Sequence, residues 1–161
     1  MIPQTTLAEA SALLDHLRAR DLRVATAESC TGGLVAAALT AIAGSSDVVD
    51  RGFVTYSNAA KTQLLGVPEA LIASVGAVSE EVAWRMAEGA IAHSEADLAI
   101  AITGVAGPGG GSAEKPVGLV WFGAARRGGP TITAREMFSG DRTEVRAHAV
   151  LTAFRLLRRM A

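Results

Sequence analysis

RVATAESCTGG, residues 23–33, leads from a strand-like run directly into an apolar helix pattern. Residues 23–27 read as a buried strand, and a 3.6-residue apolar period begins near Thr31. The junction places Ser29 and Cys30 beside the first amides of a helix, which have no partner within the helix. Such amides bind anions and stabilise developing oxyanions. This segment therefore predicts a strand–turn–helix unit whose turn carries a reactive side chain.

Length and composition narrow the class of protein. A chain of 161 residues, 50% hydrophobic and 19% charged, predicts one folded domain over residues 1–161. The formal net charge of −1 provides no basic field, so we expect no nucleic-acid partner and no membrane binding. A single cysteine excludes an internal disulfide, and without metal-ligand spacings we expect no metal and no cofactor. With no signal peptide and no bilayer-length apolar run, we expect a cytoplasmic protein.

Helix and strand signals alternate along the chain. We expect strands over residues 23–27, 48–57, 98–102, 117–125 and 131–138, the last two forming an antiparallel hairpin. Helix N-caps are predicted at Thr6, Asn58, Ser79 and Asp141, the last with Glu144 in a capping box. The alternation predicts an α/β fold, a three-layer α/β/α sandwich with a mixed, mostly parallel sheet. Ligands bind such sheets at the carboxyl ends of the strands.

Ser29 stands just past the carboxyl end of its strand. A serine there either caps the helix or acts as a nucleophile. Gly32 and Gly33 favour the second role, because glycines let a substrate approach the backbone closely. None of the three histidines is well placed to act as its base, so a Ser-His-Asp triad is disfavoured.

Lys61 is the better candidate for the base. The chain has thirteen arginines but only two lysines, Lys61 and Lys115, and of these two residue types only lysine can lose its proton in a protein. With Asn58 as N-cap, Lys61 lies in a first helical turn, where the helix dipole disfavours an ammonium by roughly 0.3–1 kcal/mol. An ordinary exposed lysine is the alternative, and we expect it for Lys115. The phenol of Tyr56 could relay a proton, orient Lys61 or close the edge of the core.

Three further features could contribute to a site. Cys30 competes for the role of nucleophile, because a helix N-terminus lowers a thiol pKa, although a small buried side chain is the commoner outcome. Thr103 and residues 104–107 of a glycine loop either line a pocket or form a connection. That loop matches neither the dinucleotide fingerprint nor the P-loop. Arg142, at the start of the last helix, is a solvated side chain or a ligand for phosphate or carboxylate.

Several ordered motifs in this chain recur together in one family. They are TAESCTGG at 26–33, GFVTYSNAAK at 52–61, GAVS at 76–79 and ITGVAGPGG at 102–110, with PVGLV at 116–120 and the helix start at 141–142. The chain thereby resembles the CinA C-terminal domain family, also called the nicotinamide mononucleotide deamidases. The resemblance covers essentially the whole chain and points to the stand-alone form, without the extra N-terminal domain of longer relatives.

The resemblance implies an amidohydrolase that converts nicotinamide mononucleotide to nicotinate mononucleotide and ammonia in pyridine nucleotide salvage. It implies Ser29 as nucleophile and Lys61 as base, with Tyr56 assisting. The implied substrate-binding residues are Cys30, Thr31, Gly32, Gly33, Thr103, Gly104, Gly107 and Arg142. Among these, Arg142 would approach the phosphate, and amides of the segment from Thr31 to Gly33 would hold the oxyanion. No metal is implied.

Two other functions stay open at this point. The same pocket could bind a nucleotide without hydrolysing it, as a regulatory domain does, or Cys30 could make the protein a thiol hydrolase. The expected partner is a small-molecule nucleotide. Apolar surface on the late hairpin or the last helix could support a homo-oligomer.

Overall fold

A five-stranded mixed sheet forms the centre of the computed structural model, which describes residues 1–161. The strands are β1 (Val24–Glu28), β2 (Val49–Val54), β3 (Leu98–Gly104), β4 (Leu119–Arg126) and β5 (Thr131–Met137). The helices are α1 (Gln4–Arg18), α2 (Leu34–Thr40), α3 (Asn58–Leu65), α4 (Glu69–Val75), α5 (Glu80–Ala92) and α6 (Arg142–Met160). None of these helices is both long and apolar enough to cross a membrane.

The strand order is β2-β1-β3-β4-β5. β1 pairs in parallel with β2 and β3, whereas β4 is antiparallel to β3 and β5. Four of the five strands therefore run in the same direction, and the late strands form the predicted hairpin. The predicted α/β class and mixed sheet are confirmed. The carboxyl ends of β1, β2 and β3 meet at one edge of the sheet.

The two faces of β3 explain the layering. Leu98, Ile100 and Ile102 belong to the core shared with α1, α2 and α6. Ala99 and Ala101 belong to the second core, which is shared with α3, α4 and α5. Because side chains alternate across a strand, one continuous apolar run supplies both cores. Every residue of β1 is also buried, so the strand that precedes Ser29 is held on both sides.

Several predicted element boundaries are wrong. Thr6 is buried within α1 and does not cap it, because the helix already begins at Gln4. Ser57, rather than Asn58, caps α3: its hydroxyl accepts from the amide of Ala60. The predicted capping box of α6 is confirmed. The predicted N-cap is therefore correct at α6, where two residues form a capping box. At α3 it is wrong by one residue, because two neighbouring residues can both act as caps.

Helix α2 also begins three residues later than Thr31, the predicted start. Gly32 and Gly33 have φ values of 59° and 101°, in the left-handed region that favours glycine. Residues 29–33 therefore form a turn between β1 and α2. This turn determines which amides face the site.

Candidate active site

Ser29, Thr55 and Thr103 lie together at the carboxyl edge of the sheet, at the ends of β1, β2 and β3. Ser29 follows β1 directly, and its amide donates to the carbonyl of Ile102 on β3. The amide of Thr55 donates to the carbonyl of Glu28 at the end of β1. Backbone hydrogen bonds between neighbouring strands thus bring residues that are distant in the sequence to the same edge of the sheet.

Lys61 is among the largest of the fully buried side chains, with 1% exposure. Its Nζ lies 3.1 Å from Ser29 Oγ and 2.9 Å from the carbonyl oxygen of Thr55. A third oxygen, the carbonyl of Tyr56, is 3.5 Å away. No carboxylate forms an ion pair with this amine. Burial therefore lowers the pKa of Lys61 below its usual 10.5.

The neutral amine suits this set of neighbours. A neutral lysine has two N–H bonds and one lone pair, and the carbonyls of Thr55 and Tyr56 accept the two N–H bonds. The lone pair then faces the hydroxyl of Ser29, which can donate its proton to Nζ. A positioned base at this distance can activate an alcohol.

Glu28 occupies amides that the sequence assigned to the substrate. Its carboxylate is fully buried and accepts from the amides of Gly33 at 3.1 Å, Val35 at 3.1 Å and Ala36 at 2.9 Å. It also accepts from the hydroxyl of Thr31 at 2.6 Å. The expectation that amides of the segment from Thr31 to Gly33 hold an oxyanion is therefore wrong for Gly33, whose amide the carboxylate occupies. The chain supplies its own anion to this helix start.

Glu28→Gln is expected to lower the free energy of unfolding by about 2–3 kcal/mol, because an NH₂ group would face buried donors. Urea denaturation at neutral pH measures the change. The matched control is Glu114→Gln, since Glu114 is exposed and makes no ion pair. Equal stability of the two variants would contradict a structural role for the Glu28 carboxylate.

Two amides of the turn remain without a protein acceptor. The amide of Gly32 donates to the carbonyl of Ser29, and that of Leu34 to Thr31. The amides of Cys30 and Thr31 donate to no protein group. Thr31 is fully buried, whereas Cys30 keeps 6% exposure, so of the two only the amide of Cys30 can be reached by a ligand. Cys30 directly follows Ser29, and in α/β-hydrolases the amide of the residue after the nucleophile is one of the oxyanion donors. The free donors are therefore carried by the turn and not by the helix.

Cys30 is buried, with 6% exposure. Burial raises the pKa of its thiol to about 11. The thiolate is the reactive form, so a thiol of this pKa is a poor nucleophile at neutral pH. The thiol-hydrolase alternative loses its physical basis, and the side chain of Cys30 fills the core.

The phenol of Tyr56 points to Arg142 and not to the lysine. One Nη of Arg142 donates to the phenol oxygen at 2.9 Å, and the other donates to the carbonyl of Gly107 at 2.8 Å. Arg142 is exposed and forms no ion pair, so its charge and remaining donors are available to a ligand. Tyr56, which is 58% exposed, thus connects this guanidinium through its phenol to the lysine through its backbone carbonyl. A cavity of about 490 Å³ adjoins Arg142.

Thr103 and Gly104 lie at the end of β3. The hydroxyl of Thr103 is buried and donates to the carbonyl of Ala77 at 2.9 Å, which removes it from the substrate's direct reach. Gly104 packs against Val120, where a larger residue would collide with the neighbouring strand. Lys115, expected to be exposed, is half-buried and donates to the carbonyl of Val75 at the end of α4. It ties the glycine loop to that helix.

Two side chains of this site were missed in the sequence. Glu28 had a local signal, since it stands just before a helix start, where carboxylates are favoured. Arg146 had none: it donates to the carbonyls of Cys30 and Thr31 from α6, more than a hundred residues away. A contact across that distance requires the fold.

The fold and its site define a three-layer α/β domain that pairs a serine hydroxyl with a buried amine at the carboxyl edge of its sheet. The chain belongs to the CinA C-terminal domain family, whose model matches residues 6–161. This confirms the resemblance found in the sequence.

Curated relatives and a solved structure support the same assignment. The nicotinamide-nucleotide amidohydrolase PncC of Escherichia coli K12 is 57% identical over 141 residues, which are 88% of this chain and 86% of that protein. The protein of the same name from Enterobacter agglomerans is 57% identical over 135 residues, 84% of this chain and 82% of the relative. The crystal structure of competence/damage inducible protein CihA from Agrobacterium tumefaciens superposes with a TM-score of 0.95 at 49% identity, covering 98% and 96% of the two chains. The relatives confirm the expected enzyme class, an amidohydrolase.

Proposed function

We propose that this protein hydrolyses the carboxamide of nicotinamide mononucleotide to nicotinate mononucleotide and ammonia, with Ser29 as nucleophile and Lys61 as base, in pyridine nucleotide salvage. The observation that carries the proposal is the 3.1 Å contact between Ser29 Oγ and the Nζ of a buried lysine without a counterion. The names of the relatives in Escherichia coli and Enterobacter agglomerans support the substrate.

The first half-reaction forms an ester on Ser29. Lys61 takes the hydroxyl proton as Oγ bonds to the carboxamide carbon, and the carbonyl oxygen becomes an oxyanion. The amide of Cys30 donates to that oxyanion. Its collapse breaks the carbon–nitrogen bond, and Lys61 returns the proton to the leaving nitrogen, which departs as ammonia.

The second half-reaction releases the acid. Water replaces ammonia beside Lys61, loses a proton to the amine and attacks the ester carbon. The second oxyanion uses the same amide, and its collapse returns the proton from Lys61 to Ser29 Oγ. The net reaction consumes one water and produces one carboxylic acid and one ammonia, with the enzyme unchanged.

Tyr56 and Arg142 suit the rest of a mononucleotide. The backbone carbonyl of Tyr56 faces Lys61 while its phenol contacts Arg142, so one tyrosine spans the distance between the base and a free guanidinium. A phosphate bound by Arg142 would leave the pyridine ring beside Tyr56 and the carboxamide at Ser29. Forked guanidinium donors match phosphate oxygens in geometry and charge.

Ammonia release from nicotinamide mononucleotide, measured beside nicotinamide riboside and free nicotinamide, tests the proposal. We expect release with the mononucleotide, and a much higher KM with the riboside, which lacks the phosphate that Arg142 would hold. Wild-type protein that binds the mononucleotide without releasing ammonia would instead support the non-catalytic nucleotide-binding domain.

The pH dependence of kcat/KM is expected to follow the titration of Lys61. Only the neutral amine can accept the Ser29 proton, so kcat/KM rises with pH through the lowered pKa and levels off below 10.5, the usual lysine value. The folded protein binds fewer protons than the unfolded chain between those two pKa values. The free energy of unfolding of the wild type, relative to Lys61→Met, therefore also rises with pH in that window. A kcat/KM that falls as pH rises through neutrality would contradict a neutral base.

A further inference from the structure

Arg146 contacts the backbone of the turn that carries Ser29. From the second turn of α6, its Nε donates to the carbonyl of Cys30 at 3.1 Å, and one Nη donates to the carbonyl of Thr31 at 3.1 Å. The side chain is half-buried and forms no ion pair with a carboxylate. Both of its contacts are therefore with backbone oxygens of one short segment.

The planarity of the peptide bond links these contacts to the free amides. In a trans peptide the N–H points opposite to the C=O, so a carbonyl held on one side directs its N–H to the other. The amide of Thr31 shares a peptide with the carbonyl that Arg146 Nε holds. The amide of Cys30 shares a peptide with the carbonyl of Ser29, which the amide of Gly32 holds at 2.9 Å. That Gly32 amide in turn shares a peptide with the carbonyl of Thr31, which an Nη of Arg146 holds. Each free N–H is thus opposed by an occupied carbonyl.

Charge acts in the same direction. A cationic donor on a carbonyl polarises the whole peptide and strengthens its N–H as a donor. The buried Glu28 carboxylate bonds to the hydroxyl of Thr31, and its negative charge would oppose an oxyanion formed nearby. Arg146, bonded to the carbonyl of that same Thr31, places a positive charge on this turn.

We propose that Arg146 is a positioning residue for catalysis, which orients and polarises the chain of hydrogen-bonded peptides that ends at the amide of Cys30, the donor that stabilises the oxyanion. The role rests on the proposed function, because it requires an oxyanion on the substrate of Ser29. Arg146 touches neither the substrate nor the reacting atoms. Its effect therefore belongs to the transition state and not to substrate binding.

Arg146→Met is expected to lower kcat about 100-fold while KM changes by less than about threefold, since an oxyanion donor acts mainly in the transition state. Arg146→Lys, which keeps the charge and one donor, is expected to have a kcat about tenfold higher than that of Arg146→Met. The matched control is Arg155→Met on the same helix, where the arginine is 67% exposed and pairs with Glu136. Thermal melting of each variant shows whether the fold is kept.

Three outcomes would overturn the role of Arg146. The first is a folded Arg146→Met variant that keeps kcat within about threefold of the wild type. The second is a variant whose loss of kcat/KM comes entirely from a higher KM, which would make Arg146 a binding residue. If Arg146→Met does not fold, Arg146→Lys decides: a kcat equal to that of the wild type counts against the proposal.

Phosphonylation of Ser29 by a fluorophosphonate, followed by mass spectrometry, gives a readout that does not depend on the substrate. The reaction builds negative charge on a phosphoryl oxygen at the same Cys30 amide, so Arg146→Met should slow it about as much as kcat. A wild type that is labelled but releases no ammonia overturns the proposed function, and the labelling rates then still judge Arg146. A wild type that does neither overturns both.

Discussion

Ser29→Ala is expected to reduce kcat for ammonia release by about 10⁴-fold or more, the scale seen when a hydrolase loses its nucleophile. The variant keeps the free amides of the turn but has no oxygen to form the ester. Loss of one half-buried hydroxyl should change the free energy of unfolding by about 1 kcal/mol or less. Ammonia assay and urea denaturation on the same preparation separate the two effects.

Two controls sharpen the result for Ser29. Ser139→Ala removes the hydroxyl of an exposed serine and should leave kcat unchanged. Cys30→Ala should keep kcat within about threefold, because a thiol whose pKa burial has raised to about 11 is not the nucleophile. Activity lost in Cys30→Ala but kept in Ser29→Ala would transfer the chemistry to the thiol.

Lys61→Arg is expected to cost about 10³-fold in kcat although it keeps a positive charge. A guanidinium does not give up its proton in a protein, so it cannot accept the one from Ser29. Lys61→Met, which fits the space of the stem without an amine, should lose a similar amount. The agreement of a charged and an uncharged replacement would show that proton transfer, and not charge, is what the amine supplies.

Lys115→Arg is the matched control, since Lys115 is the only other lysine in the chain and donates to a helix-end carbonyl outside the site. We expect it to keep kcat within about threefold, because an arginine can make the same contact. A folded Lys61→Arg enzyme with more than about a tenth of wild-type kcat would show that another group acts as base.

Helices and strands could be predicted from the sequence where the residues that determine them are close together in the chain. The five strands and the hairpin were visible in the sequence because apolar runs and turn residues are short-range signals. The start of α2 was predicted too early, because two glycines with left-handed backbone and the carboxylate of Glu28 stabilise a turn before the helix. The cap of α3 was shifted because Ser57 and Asn58 are neighbouring caps, and only the observed bond to Ala60 distinguishes them.

Some features of the proposed site could also be predicted from the sequence, and others could not. Ser29 and Lys61 were chosen in the sequence from residue chemistry and position. The oxyanion donors were predicted over the segment from Thr31 to Gly33, and Gly33 was wrongly included because hydrogen-bond competition with a buried carboxylate is invisible in a linear pattern. The assisting role expected of the Tyr56 phenol remains a prediction, and the structure shows that phenol bonded to Arg142.

The amino-acid sequence by itself determined the α/β class, the family and the pair of side chains that the proposal uses, because periodicity, turn residues and motifs are local properties of the chain. Tertiary structure alone decided that Lys61 is buried without a counterion and which two amides of the turn stay free. It also brought Arg146 to the carbonyls behind them. Desolvation and hydrogen-bond competition depend on everything packed around a group, and that environment exists only once distant segments have folded together.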